Sequence, residues 1–178
     1  MPEPERLELL IDSTAIQTRV QELAVEIDRA FEDASEFVAI GVMKGSLHFL
    51  SDLLRAMKTD PRLELIRASN YPENEKARSQ AQLQVIGDFA INNCELLVID
   101  DILDQGGTAM AVQEALAPFS PKRVLWAMLL VKEGAVERTG LNPDFVGFTV
   151  PEKWVVGYGL DYAERYRNLK EIYVLKRR

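Results

Sequence analysis

Leu96-Leu97-Val98-Ile99 is a continuous apolar run that leads directly into Asp100-Asp101-Ile102-Leu103-Asp104-Gln105-Gly106-Gly107-Thr108. Apolar residues without alternation mark a strand buried on both faces of a parallel sheet. Such a strand needs helices above and below it, so this one segment commits the chain to an α/β architecture. It also sets two adjacent carboxylates, a third at Asp104 and a Gly-Gly-Thr turn at the carboxyl end of a strand, where open α/β sheets bind ligands. A glycine turn that opens a helix presents backbone N–H groups and the positive end of the helix dipole, which suits a phosphate. Ionised carboxylates are pure acceptors, which suits sugar hydroxyls or a hydrated Mg²⁺. The order of residues carries this reading, since a lone Asp-Asp or Gly-Gly is an ordinary exposed turn. Together they read as a site for a phosphorylated sugar. The nucleotide P-loop pattern G-x-x-x-x-G-K-[ST] occurs nowhere in the chain.

The rest of the sequence alternates in the same way. Ile16, Val20, Leu23, Ile27 and Ala30-Phe31 recur at helical spacing, and Thr14 with Gln17 fits a capping box that starts the helix. A strand over 37–42 ends in Met43-Lys44-Gly45-Ser46, and a second helix covers 47–57. Strands are expected over 63–71, 83–91, 124–131, 145–150, 154–156 and 172–175, with a helix over 109–119 closed by Pro118 and Pro121. Residues 72–82 are polar and charged, which fits a lid or an exposed turn. Strands alternating with helices predict a mainly parallel sheet flanked by helices on both faces.

Composition narrows the class. At 178 residues the chain reads as one domain. The net charge of −7 argues against non-specific binding to nucleic acid or anionic membranes. No apolar run approaches membrane-spanning length, and Met1-Pro2-Glu3-Pro4-Glu5-Arg6 lacks the layout of a signal peptide. With Cys94 the only cysteine and His48 the only histidine, a disulfide, a cysteine zinc site and a His-based triad are all unsupported. These features predict a soluble, cytoplasmic protein whose metal ligands, if any, are oxygens.

The segment 96–108 resembles the phosphoribosyl pyrophosphate (PRPP) motif of type I phosphoribosyltransferases. A second stretch is similar to the C-terminal part of hypoxanthine-guanine phosphoribosyltransferases. It comprises Pro143-Asp144-Phe145-Val146-Gly147-Phe148, then Pro151-Glu152-Lys153-Trp154-Val155-Val156-Gly157-Tyr158-Gly159-Leu160-Asp161-Tyr162, then Glu164 and Tyr166-Arg167-Asn168-Leu169. Met43-Lys44-Gly45-Ser46 resembles that family's pyrophosphate loop, and Leu130-Val131-Lys132 its base-contacting strand. The resemblance runs in matching order from about Leu10 to Leu175.

That resemblance implies a type I phosphoribosyltransferase fold, with a core over about 35–150 and a small hood lobe from about 1–15 and 151–178. It implies transfer of a 5-phosphoribosyl group from PRPP to N9 of a 6-oxopurine, with Mg²⁺ and release of pyrophosphate. Asp100 and Asp101 would hold the ribose hydroxyls, in part through metal, and Asp161 a second metal ion. Asp104 would act as general base near N7; its other reading is a helix N-cap. Asp104, Gln105, Gly106, Gly107 and Thr108 would cradle the 5′-phosphate. Arg167 would meet the pyrophosphate, and Lys44 and Gly45 would supply backbone donors to the same group from a strained peptide. Lys132 would donate to the purine O6, Trp154 would stack on the ring, and Val155 would contact the base edge through its backbone. Ser69, Asn70 and Tyr71 would begin a mobile lid.

The family is usually a homodimer or homotetramer. Four positions depart from its pattern: Gln105 where Thr or Ser is common, Asp100 where Glu is common, Asn70 and Pro72 in the lid, and Trp154 in place of a smaller aromatic residue. The competing expectation is a nucleotide-sensing regulator of the same fold, which should lack Asp104 and carry a basic face.

Overall fold

The computed structural model describes residues 6–69, 82–86 and 90–176. Six strands form one sheet: β2 (Phe37–Met43), β3 (Arg62–Ser69), β4 (Gln82–Ile86), β5 (Glu95–Leu103), β6 (Arg123–Lys132) and β7 (Phe145–Val150). Their order is β4-β3-β2-β5-β6-β7, with β3, β2, β5, β6 and β7 parallel and β4 an antiparallel edge. A smaller antiparallel sheet joins the two ends of the chain. There β1 (Arg6–Ile11) pairs with β9 (Ile172–Lys176), which pairs with β8 (Val155–Val156).

Strand alternation divides the core. Leu97 and Ile99 of β5 face α1 (Ser13–Ala30) and α2 (Leu47–Ala56), whereas Leu96 and Val98 face α3 (Gly107–Leu116). The expected sheet with helices on both faces is therefore present. Val155, Leu160, Ile172 and Val174 belong to the same apolar cluster as α1 and α2, so the small sheet docks on that side of the core.

Several local expectations change. α1 starts two residues earlier than a Thr14 cap would allow: Asp12 is the N-cap, and its carboxylate accepts from the Ala15 amide at 2.9 Å. β5 runs to Leu103 rather than stopping at the first aspartate, because Asp100, Ile102 and Leu103 still pair with β6. α3 ends at Leu116, and Pro118 sits in a 3₁₀ turn over Ala117–Phe119. β8 begins at Val155; β4 covers Gln82–Ile86, and Ala90 and Ile91 lie outside any strand. The short α4 (Ala135–Thr139) and β1 carry no distinct pattern in the sequence reading.

Asp28 fixes α1 to the end of α2. Its carboxylate accepts from the Lys58 amide at 3.0 Å, the Thr59 amide at 3.0 Å and the Thr59 hydroxyl at 2.7 Å. Burial alone would raise its pKa, but these hydrogen bonds outweigh burial and hold it below the usual value. A folded pKa below the unfolded one stabilises the fold at pH above the ordinary aspartate range, and that stabilisation is lost as pH falls through it. Asp28→Ala is therefore expected to cost about 1 kcal/mol at pH 7. The gap to wild type should shrink as the pH drops below about 4. Urea unfolding of both proteins at pH 7 and pH 3 checks this.

Candidate active site

The chain leaves β2 toward β3 on one side of the sheet and later returns to lay β5 on the other side. The carboxyl ends of β2 and β5 are thus the point where strand order reverses, and there the sheet opens a crevice. The loop after β2 (residues 44–46) and the turn after β5 (residues 104–108) both leave the sheet at these ends.

Asp100 and Asp101 lie on the last third of β5. Asp100 is buried, accepts from the Asp101 amide at 2.9 Å and lines a cavity of about 370 Å³. That cavity is also lined by Asp104, Gln105, Gly106, Gly107 and Thr108. Asp101 abuts the other loop: an ideal Cβ on Gly45 would lie 1.9 Å from Asp101 Oδ2, so a side chain there would force the carboxylate to move. Burial, and then the charge of Asp101, push the Asp100 carboxyl well above the ordinary range. Burial also raises Asp101, against hydrogen bonds and the nearby Arg167 that pull it down.

Asp104 follows β5 directly. Its Oδ2 lies 2.5 Å from the ammonium of Lys132, which is buried at the end of β6. Its Oδ1 accepts from the Gln105 amide at 3.0 Å. Arg138 of α4 reaches the Asp104 carbonyl at 3.4 Å and its carboxylate at 3.9 Å, and is ion-paired to Glu152. Asp104 is not the N-cap of α3. That position is Gly106, at φ +79°, where a side chain would strike Thr139. The departure at Gln105 thus places its amide on Asp104.

The remaining cations come from the loop after β2 and from the hood. The Met43–Lys44 peptide is cis. Ser46, fully buried, donates to the Val42 carbonyl at 2.5 Å and closes the loop onto β2. Lys44 Nζ lies 2.9 Å from Glu164. Arg167 pairs with Asp161 at 2.8 Å and Glu164 at 3.3 Å, and donates to the Gly159 carbonyl at 2.7 Å. Gly159 takes φ +102°, and a side chain there would lie 2.0 Å from the Gly45 carbonyl oxygen.

The Tyr158 hydroxyl donates to Asp52 of α2 at 2.7 Å, and burial, then Asp52, raise its pKa so that it stays a donor. Trp154 is half exposed, meets Tyr162 edge-on at 5.7 Å and donates to the Asp161 carbonyl at 3.3 Å. Val155 is buried on β8, paired with Val174.

Ser69 ends β3 opposite Gln82, whereas Asn70 and Tyr71 lie outside the described residues. The sequence reading missed Arg138 and the Tyr158–Asp52 bond. Neither has a local signal, because each partner is brought in from a distant element.

Sheet and crevice define the class of protein. Residues 9–163 match the family model of the phosphoribosyl transferase domain. The chain is 36% identical over 172 residues to the hypoxanthine-guanine phosphoribosyltransferase of Aquifex aeolicus, covering 97% of this chain and 96% of that protein. It is 36% identical over 168 residues to the enzyme of the same name from Bacillus subtilis, covering 94% and 92%. Its fold is similar to the crystal structure of a hypoxanthine-guanine phosphoribosyltransferase from Bacillus anthracis, with a TM-score of 0.82 and 35% identity, covering 95% of this chain and 98% of that one. The chain belongs to the phosphoribosyltransferase family, among its hypoxanthine-guanine members.

Phosphoribosyl transfer in this family generally needs a divalent metal. Among the described residues, no three Asp, Glu, His or Cys side chains converge as a preformed metal cage. The residues present nevertheless fit a hard cation. The donors are all oxygens, and burial makes ionised Asp100 costly without a positive partner. One or two carboxylates completed by substrate oxygens and water is the habit of Mg²⁺.

Because its folded pKa is raised, ionising Asp100 costs the folded state free energy that the unfolded chain does not bear, and the cost grows as pH rises above the ordinary aspartate range. Asp100→Asn keeps the acceptor for the Asp101 amide and removes the charge. In metal-free buffer the variant should melt higher than wild type at pH 8, by about 2–5 °C. The difference should narrow as the pH approaches 4. Thermal melts across that range test it.

Proposed function

We propose that this protein is a purine-salvage enzyme that transfers the 5-phosphoribosyl group of PRPP to N9 of hypoxanthine or guanine and releases pyrophosphate. The observation that carries this reading is the position of Asp104. One carboxylate stands at the head of the glycine turn and is held by a buried lysine 2.5 Å away on the next strand. A proton acceptor, a phosphate cradle and a cationic donor are thereby fixed relative to one another before substrate arrives.

In the proposed reaction the C1′–O bond to pyrophosphate breaks as the bond from C1′ to N9 forms, and the purine's imidazole proton passes to Asp104. Positive charge develops on the ribose, so nearby ionised carboxylates stabilise the transition state. Asp100 and Asp101 accept from the ribose hydroxyls. Asp104 to Thr108 supply the amides and the hydroxyl that cradle the 5′-phosphate. Lys44, the Gly45 backbone and Arg167 receive the pyrophosphate, where a guanidinium suits paired phosphate oxygens. Asp100, Asp101 and Asp161 would hold Mg²⁺, which when bound supplies charge neutralisation for the departing group.

Lys132 donates to the purine O6. A 6-amino group would set donor against donor, so adenine is rejected. Trp154 stacks on the ring, and Val155 meets the base edge through its backbone. Ser69, Asn70 and Tyr71 begin a lid that excludes water from the reacting sugar. The chain works as one domain, with its core over about 35–150 and a hood from about 1–15 and 151–178. We place it in the cytoplasm as a homodimer or homotetramer. The presence of Asp104 and the net charge of −7 disfavour a nucleotide-sensing regulator.

Incubation with PRPP, Mg²⁺ and hypoxanthine, guanine, xanthine or adenine in competition tests the reading. Nucleotide and pyrophosphate should form with hypoxanthine or guanine and not with adenine; no product with any 6-oxopurine would overturn it. Asp104→Asn should lower kcat by about 10²–10⁴-fold. An unchanged rate would take the proton-acceptor role from Asp104.

A further inference from the structure

Lys44 and Arg167, assigned above to pyrophosphate, are already bridged by one carboxylate of the protein itself. Glu164 Oε2 lies 2.9 Å from Lys44 Nζ, and Oε1 lies 3.3 Å from Arg167 Nη2. The two cations come from different parts of the chain, one from the loop after β2 and one from the hood. A single anionic group with two oxygens therefore spans them, as the oxygens of a pyrophosphate would.

The placement of Glu164 follows from its backbone. Ala163, Glu164 and Tyr166 take φ of 52°, 60° and 74°, a left-handed conformation uncommon for residues with side chains. The Glu164 amide donates to Asp161 Oδ2 at 2.9 Å, which helps to hold the turn. A glutamate carboxyl is anionic at neutral pH, so it can pair with both cations. Its side chain remains 66% exposed, so its ion pairs are screened by water and weak enough to exchange.

We propose that Glu164 is a counter-anion of the pyrophosphate subsite: it occupies Lys44 and Arg167 and yields them to the pyrophosphate group. The proposal rests on the reading of the site given above. Every pyrophosphate that binds displaces a carboxylate that is already paired, and the displaced carboxylate stays close by and repels it. Glu164 thus weakens the hold on PRPP and on product pyrophosphate alike. Weakening of that kind raises KM, and it also keeps the product from being held after chemistry is over. A Glu164 that only braced the loop would have the opposite effect, since removing it would loosen the cations and weaken anion binding.

The test is calorimetric titration of inorganic pyrophosphate, with excess Mg²⁺, into wild type, Glu164→Gln and Glu164→Ala. Both variants should bind pyrophosphate about 3–10-fold more tightly than wild type. Product inhibition by pyrophosphate should strengthen by the same factor. Equal or weaker binding in the variants overturns the role of Glu164 while leaving the pyrophosphate subsite in place. A wild-type protein that binds no pyrophosphate overturns the subsite itself, and the proposal with it.

Discussion

Three segments of the chain meet at Gly45, where a side chain would strike the Asp101 carboxylate. The end of β5 approaches from one side through Asp101, and the hood approaches from the other through Gly159. A Cβ at either glycine would lie about 2 Å from an oxygen of its neighbour. This double contact is what makes sheet, loop and hood one site. It holds the loop that carries Lys44 against the carboxylates, and it sets the depth at which the hood delivers Asp161 and Arg167. The Tyr158 hydroxyl on Asp52 secures the same join from behind, next to Gly159 in the chain and on the helix that follows the loop.

Around that join the charges divide by the element that carries them. Asp100 and Asp101 sit near the end of β5, past the last pair with β2, where Asp100 still pairs with Met128 of β6. The cations sit on loops or at a strand end, and each has a protein carboxylate as partner: Lys132 has Asp104, Lys44 has Glu164, and Arg167 has Asp161 and Glu164. On the proposed reading, substrate binding is an exchange of partners rather than the filling of an electropositive hole. That resolves the tension between a net charge of −7 and a substrate rich in phosphate. Internal pairing keeps long side chains ordered near their working positions, at a cost in raw affinity.

Much of this was legible in the sequence because it is local. An unbroken apolar run fixed β5 as central, and the period of strands and helices fixed the layers on either side. The glycine turn and the aspartates are contiguous, so their grouping at one strand end followed from that assignment. The resemblance supplied the distant parts, since no spacing rule connects Lys44 to Arg167. What escaped depends on contacts made only after folding. Asp104 resembles an N-cap until Lys132 and Gln105 are seen to hold it. Thr14 resembles a cap until Asp12, two residues earlier, turns out to hold that position. Arg138 has no local signal, because its position is set by α4 docking beside the turn at Gly106.

The sheet extends beyond the site on both sides of β2 and β5. β3 and β4 form an antiparallel pair in which Ser69 stands opposite Gln82, at the far end of the sheet from β7. β5 and β6 deliver Asp100, Asp101 and Lys132 at their carboxyl ends, and Asp104 follows β5 directly. The loop after β2 and the hood deliver Lys44, Asp161 and Arg167. Gly45 lies on the boundary between the two, and for that reason the close approach there constrains both.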